Sequence, residues 1–192
     1  MRIELIETLR RLGRAWYSIP DLEKITGLAR PSLRVFLSRW TRAGRLERLG
    51  PGLYHLPGEG LDLERLGNEY YFPSYLSFES ALARHGILSQ RPYVLTFATT
   101  RRSRRLRLKA AELEYRRLRP GLYFGFEMDA GIYVARPEKA LLDQLYMVCR
   151  GLASLDMSGL NLRPLNRSVL SRYVRAFPPP VGVRLGALLR AG

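Results

Sequence analysis

Arg34, Ser38 and Arg42 recur every fourth residue, with Arg30, Ser32 and Arg39 beside them. One side of a helix through 30–42 would therefore carry guanidiniums and hydroxyls. A guanidinium can donate two parallel hydrogen bonds to a phosphate or to a guanine edge, and a hydroxyl can bond either base edges or phosphates. That chemistry is recognition of a nucleic acid, with Arg30, Ser32, Arg34 and Ser38 expected at base edges and Arg39, Arg42 and Arg48 on phosphates. A second basic group, Arg101, Arg102, Arg104, Arg105 and Arg107 with Lys109, crowds the run 101–109. It reads either as a solvated loop kept extended by its own repulsion or as a second phosphate-binding or antitoxin surface.

Bond-making chemistry has fewer candidates. Glu127, Asp129, Glu138 and Asp143 with Lys139 are the one carboxylate group that could serve a metal-dependent nuclease. Helix dipole and surface position account for Glu138 and Asp143, and a polar hairpin turn accounts for 127–129. His85, at the end of an expected helix, reads as a packed or capping residue, and Cys149 as an inert buried thiol. There is no Gly-x-x-x-x-Gly-Lys and no Gly-x-Gly-x-x-Gly between strand and helix. No catalytic residue, metal site or cofactor is assigned, and the chain is expected not to be an enzyme.

Composition agrees with a polyanion partner. The 192 residues carry a net charge of +15, and of 32 cationic residues only Lys24, Lys109 and Lys139 are not arginine. A hydrophobic share of 46% is enough for a core. One cysteine excludes an internal disulfide, and two histidines without a cysteine pair exclude a Cys/His zinc cage. The absence of a long apolar stretch and of a signal-peptide pattern points to a cytoplasmic protein without a membrane partner.

The elements that must hold the basic face can be read from spacing. Ile3, Leu5, Ile6, Leu9 and Leu12 form a helical stripe ending at Gly13. Pro20 opens a short second helix that Gly27 stops. Leu33, Phe36, Leu37 and Trp40 give the third helix its core face, opposite the arginines. Two short strands then flank Gly50-Pro51-Gly52. Three helices and a hairpin within residues 1–57 are the pattern of a winged helix-turn-helix, whose last helix enters the DNA major groove.

A link is expected over 58–69, with 61–67 as a short link or helical turn, and a second domain over 70–192. There Ser77 caps a helix reaching His85, Tyr93–Ala98 is a strand, and further strands are expected at 114–118, 122–126 and 131–135. Pro137 opens a helix through Val148, and Asn166 caps a last helix that Pro178–Pro180 ends. The expected class is α+β, a winged helix-turn-helix followed by an α+β domain with a mostly antiparallel sheet.

The stretches 26–33 and 44–54 resemble the winged helix of the AbiEi antitoxin family. Four further blocks are similar to that family's C-terminal region in the same order: Tyr75–Leu82 with His85-Gly86-Ile87, Thr96–Ser103, Phe124-Gly125-Phe126, and Ala135–Asp143 (Ala-Arg-Pro-Glu-Lys-Ala-Leu-Leu-Asp). The resemblance implies a type IV antitoxin that represses its own operon. Its winged helix would bind inverted repeats in double-stranded promoter DNA, as a homodimer or cooperatively, and its C-terminal domain would neutralise a nucleotidyltransferase-like toxin encoded nearby. The chain departs from its relatives in a Gly-Pro-Gly hairpin tip, where they often carry arginine, and in a shorter region beyond residue 150. The other reading is a winged-helix regulator without a toxin, whose C-terminal domain dimerises or senses a signal.

Overall fold

The computed structural model describes residues 2–58, 60–90, 92–156 and 159–191, with side chains from residue 5 to residue 190. The side chain of Ile3, assigned above to the first helical stripe, lies outside the described residues. The chain divides into two compact units, one running to Leu66 and including Arg107–Ala110, the other comprising Gly67–Leu106 and the remainder from Ala111. Arg107 thus belongs to the first unit, whereas Arg101, Arg102, Arg104 and Arg105 belong to the second.

In the first unit the order is α1 (Arg2–Leu12), β1 (Tyr17–Ser18), α2 (Ile19–Thr26), α3 (Arg30–Arg42), β2 (Glu47–Gly50) and β3 (Leu53–His55). Helix α2 starts with a reciprocal cap: Asp21 N–H donates to the Ser18 hydroxyl, while Ser18 N–H donates to the Asp21 carboxylate. It ends at Gly27, whose φ of 67° few other residues adopt without strain. Leu28 and Ala29 complete the turn into α3, which has Pro31 in its first turn. Leu33, Leu37 and Trp40 of α3 pack with Leu5, Leu9, Tyr17, Leu22, Leu46, Tyr54 and Leu56 into one buried cluster. Strand β1, too short to be legible from composition, joins a three-stranded antiparallel sheet in the order β1-β3-β2. Lys109 N–H donates to Leu49 O, fixing Arg107–Ala110 to β2.

The stretch expected to be a link contains α4 (Leu63–Tyr70), and the division between the units falls within it. The second unit continues with β4 (Ser74–Leu76), α5 (Phe78–Arg84), β5 (Val94–Thr99), β6 (Arg104–Arg107), β7 (Glu112–Arg117), β8 (Phe126–Asp129), β9 (Ile132–Ala135), α6 (Pro137–Cys149), α7 (Arg167–Tyr173) and α8 (Pro179–Ala191). The fold is α+β. Its larger sheet, ordered β6-β7-β5-β4-β9-β8, is mixed. Strands β4–β5 and β8–β9 run antiparallel, but β5–β7 and β4–β9 run parallel. Side-chain alternation reports which face of a strand is buried and carries no information on the direction of its neighbour.

Three further expectations are corrected. Residues 127–129 form part of β8, and the turn is Ala130-Gly131, both at positive φ. The segment expected as a strand over 122–126 is a 3-10 turn at Pro120–Leu122 leading to β8. The prolines near residue 179 begin a helix, α8, instead of closing the chain's last one. Proline's missing N–H is no loss in a first helical turn, where that donor has no intrahelical acceptor. Helices α5 and α6 pack on each other, α5 on β5, and α7 and α8 on α6.

Candidate nucleic-acid interface

The residues expected to read nucleic acid, Arg30, Ser32, Arg34, Ser38, Arg39, Arg42 and Arg48, are all exposed. Helical spacing puts Arg34, Ser38 and Arg42 on the side of α3 opposite its buried leucines. Across from them the β2–β3 hairpin brings Arg48, Gly52 and Tyr54. Together with Ile19 and Thr41 they line a hollow of about 550 Å³. Arg34, Arg39 and Arg42 make no ion pair among the described residues. Arg48 Nε donates to Gly50 O at 3.3 Å, which holds its stem along the hairpin.

Arg30 is placed differently from expectation. Its Nε donates to Glu23 at 2.8 Å and its second nitrogen to the other carboxylate oxygen at 3.2 Å. Hydrogen bonding from Arg30 in turn holds the Glu23 carboxyl below its usual range. This pair joins the end of α2 to the start of α3 and engages two of the Arg30 nitrogens. Ser32 and Arg39 are exposed but are not among the residues lining the hollow.

In the second unit the basic run is not a free loop. Arg101 lies 4.3 Å over the Tyr71 ring and donates to Phe72 O at 3.0 Å. Arg104 stands 5.2 Å over Tyr70. Arg105 is hydrogen-bonded to Glu114 at 3.0 Å. Arg102 is exposed, and its backbone carbonyl accepts from the Tyr71 hydroxyl at 3.1 Å. Arg104 and Arg105 border a second hollow, of about 650 Å³, with Arg116, Arg117, Arg119 and Arg150. Sequence reading did not single out these last four: Arg116, Arg117 and Arg119 form a short basic run at the end of β7, and Arg150 reaches them from the end of α6.

The carboxylates considered for a nuclease do not converge. Asp129 pairs with Arg84 and Glu127 with Arg136. Glu138 accepts from Asn166 N–H at 2.7 Å. No cluster of His, Cys, Asp or Glu suited to a metal ion occurs among the described residues. Glu138 and Asp143 are buried, not at the surface as expected. Asp143 accepts from the Tyr75 and Ser77 hydroxyls at 2.9 Å each and pairs with Lys139. Burial pushes the Asp143 carboxyl up and the Lys139 ammonium down, and their mutual attraction opposes both shifts. Ser77 precedes α5 but spends its hydroxyl on Asp143 rather than on capping. His85 follows α5, with Nε2 2.7 Å from Ala135 O, and Cys149 is half-buried.

These features define an α+β protein with an arginine-bordered hollow in each unit. No protein-family model and no curated protein matches the chain. Among solved structures it is similar to the RV2827C protein from Mycobacterium tuberculosis, at 17% identity and a TM-score of 0.65, over 97% of this chain and 75% of that one. At that identity the likeness shows the fold alone. No helix among the described residues is long and apolar enough to cross a membrane.

Proposed function

We propose that the first unit is a winged helix-turn-helix that binds double-stranded DNA, and that the chain is the antitoxin of a type IV toxin-antitoxin pair repressing its own operon. The observation that carries the DNA-binding part is the convergence of Arg34, Ser38 and Arg42 of α3 with Arg48 of the hairpin around one hollow. In this arrangement the helix enters the major groove and the hairpin holds the flanking backbone. The antitoxin part rests on the resemblance of the ordered blocks between Tyr75 and Asp143 to the AbiEi family. It casts Arg101, Arg102, Arg104 and Arg105 as the surface toward a nucleotidyltransferase-like toxin.

The test has two arms. A gel-shift titration against the DNA upstream of the chain's own reading frame should give a specific complex that Arg34→Ala weakens. Co-expression with the adjacent gene product should restore growth only when the second unit is present. Specific DNA binding without growth rescue would leave a regulator whose second unit senses a ligand, a reading favoured by the second arginine-bordered hollow. Absence of specific DNA binding would remove the proposal.

A further inference from the structure

The hollow in the second unit differs from a merely basic surface in how its cations are held. Arg116 is clamped, with one nitrogen 2.8 Å from Glu79 and another 2.8 Å from Glu114. Glu114 also takes Arg105 at 3.0 Å. Burial works against Glu114, but these two guanidiniums hold its carboxyl below the usual range, so the clamp stays charged. Arg104, Arg117, Arg119 and Arg150 stand around it without a carboxylate partner among the described residues. Arg104 rests over Tyr70, and Arg150 over Tyr146 at 5.4 Å. The Arg117 backbone N–H donates to the Ser103 hydroxyl, tying β7 to the segment ahead of β6. One apolar side chain at the border, Leu152, is 59% exposed.

Four guanidiniums without a carboxylate partner among the described residues, from three segments of the chain, converge on a space of about 650 Å³, within the range of roughly 300–1,000 Å³ that holds one small ligand. Guanidinium forks match phosphate oxygens bidentately, and a compact polyphosphate brings several such groups at once. A flexible acidic peptide would lose more conformational freedom to present the same charge, and a DNA duplex would have to enter a concavity of nucleotide size. We propose that this hollow binds a nucleoside polyphosphate, free or as the 5′ end of an RNA, with the phosphates on Arg104, Arg117, Arg119 and Arg150 and the base against Leu152.

This inference goes beyond DNA binding by the first unit and is tested separately from it. Calorimetric titration of the full chain with ATP, inorganic triphosphate and adenosine should show binding of the first two, ATP the tighter, and none of adenosine. A short single-stranded RNA bearing a 5′-triphosphate, compared with its 5′-hydroxyl form, distinguishes a nucleic-acid end from the free nucleotide. Arg119→Ser with Arg150→Ser should weaken ATP by about tenfold or more for each guanidinium removed. Both side chains are exposed; the ligand-free melting temperature should stay put, and single variants serve if the double one does not fold. The promoter gel shift should be unchanged in these variants. Equal ATP affinity in the variants, displacement of ATP by duplex DNA, or tighter binding of an acidic peptide than of ATP would each overturn the proposal.

Discussion

Lys139 and Asp143 face each other one turn apart on α6, and neither side chain reaches solvent. The Lys139 ammonium also donates to the Tyr75 hydroxyl at 2.8 Å and lies within 5.4 Å of the Tyr75, Phe124 and Phe177 ring centres. Gly125 permits this arrangement, since a Cβ there would come within 3.2 Å of the Lys139 stem and 2.9 Å of the Tyr173 ring. Removing one charge while leaving the other buried costs about 3–5 kcal/mol, whereas replacing both with apolar groups of similar volume is often neutral. Asp143→Asn should therefore lower the stability of the second unit severely in urea unfolding. Lys139→Met combined with Asp143→Leu should lose less than the two single changes added together, while still leaving the buried Tyr75 and Ser77 hydroxyls without Asp143 as acceptor.

Phe97 lies so close to Gly67 that a Cβ at 67 would sit 2.1 Å from the ring's Cζ, and the ring is fully buried. Stacking on Tyr115 at 5.2 Å limits its retreat, and the Tyr115 hydroxyl bonds Gly67 O at 2.7 Å. Gly67→Ala should destabilise by about 1–3 kcal/mol through overpacking. Gly67→Ala with Phe97→Leu should lose less than the two single changes added together, a comparison that denaturation curves can make directly.

On DNA, Arg34→Ala should cost about 1–3 kcal/mol and relax sequence preference. Arg30→Ala should cost less, because Glu23 already occupies that fork. Binding should fall steeply with salt as phosphate contacts release counterions, and Arg42→Ala should make the log–log slope shallower. A slope unaltered by Arg42→Ala would take that side chain off the backbone.

Acid should loosen the entry to α2. Burial raises the Asp21 carboxyl, but hydrogen bonds from the Ser18 hydroxyl and N–H, together with the Arg14 guanidinium, outweigh it and leave the group below its ordinary value of 3.8. A depressed folded value means that the cap contributes fully above the unfolded value and is lost as pH falls through the lower, folded one. Ser18→Ala should remove about 0.5–2 kcal/mol at neutral pH. It should also flatten the pH dependence of stability below pH ~4, read by circular dichroism.

The basic face of α3 was legible because one period of 3.6 residues sorts Leu33, Leu37 and Trp40 from Arg34, Ser38 and Arg42, and no distant residue has to be known. Asp143 was misread for the complementary reason. Charges four apart on a helix carry the signature of a solvated ion pair, and only the rings that arrive from β4, the loop before β8 and the segment before α8 exclude water. Parallel pairing in the larger sheet and the convergence of Arg117, Arg119 and Arg150 are likewise set by chain crossings, which local pattern does not record. The Arg30–Glu23 pair was not legible either, because Glu23 sits seven positions back across a turn.

From Glu138 to Met147 every side chain of α6 is hidden from solvent, polar and apolar alike. A rod sheathed on all sides has no permissive stripe on which substitutions can drift harmlessly. In a saturation library of the second unit, tolerance should collapse along this decade of residues and return at Arg150, where the chain meets water again.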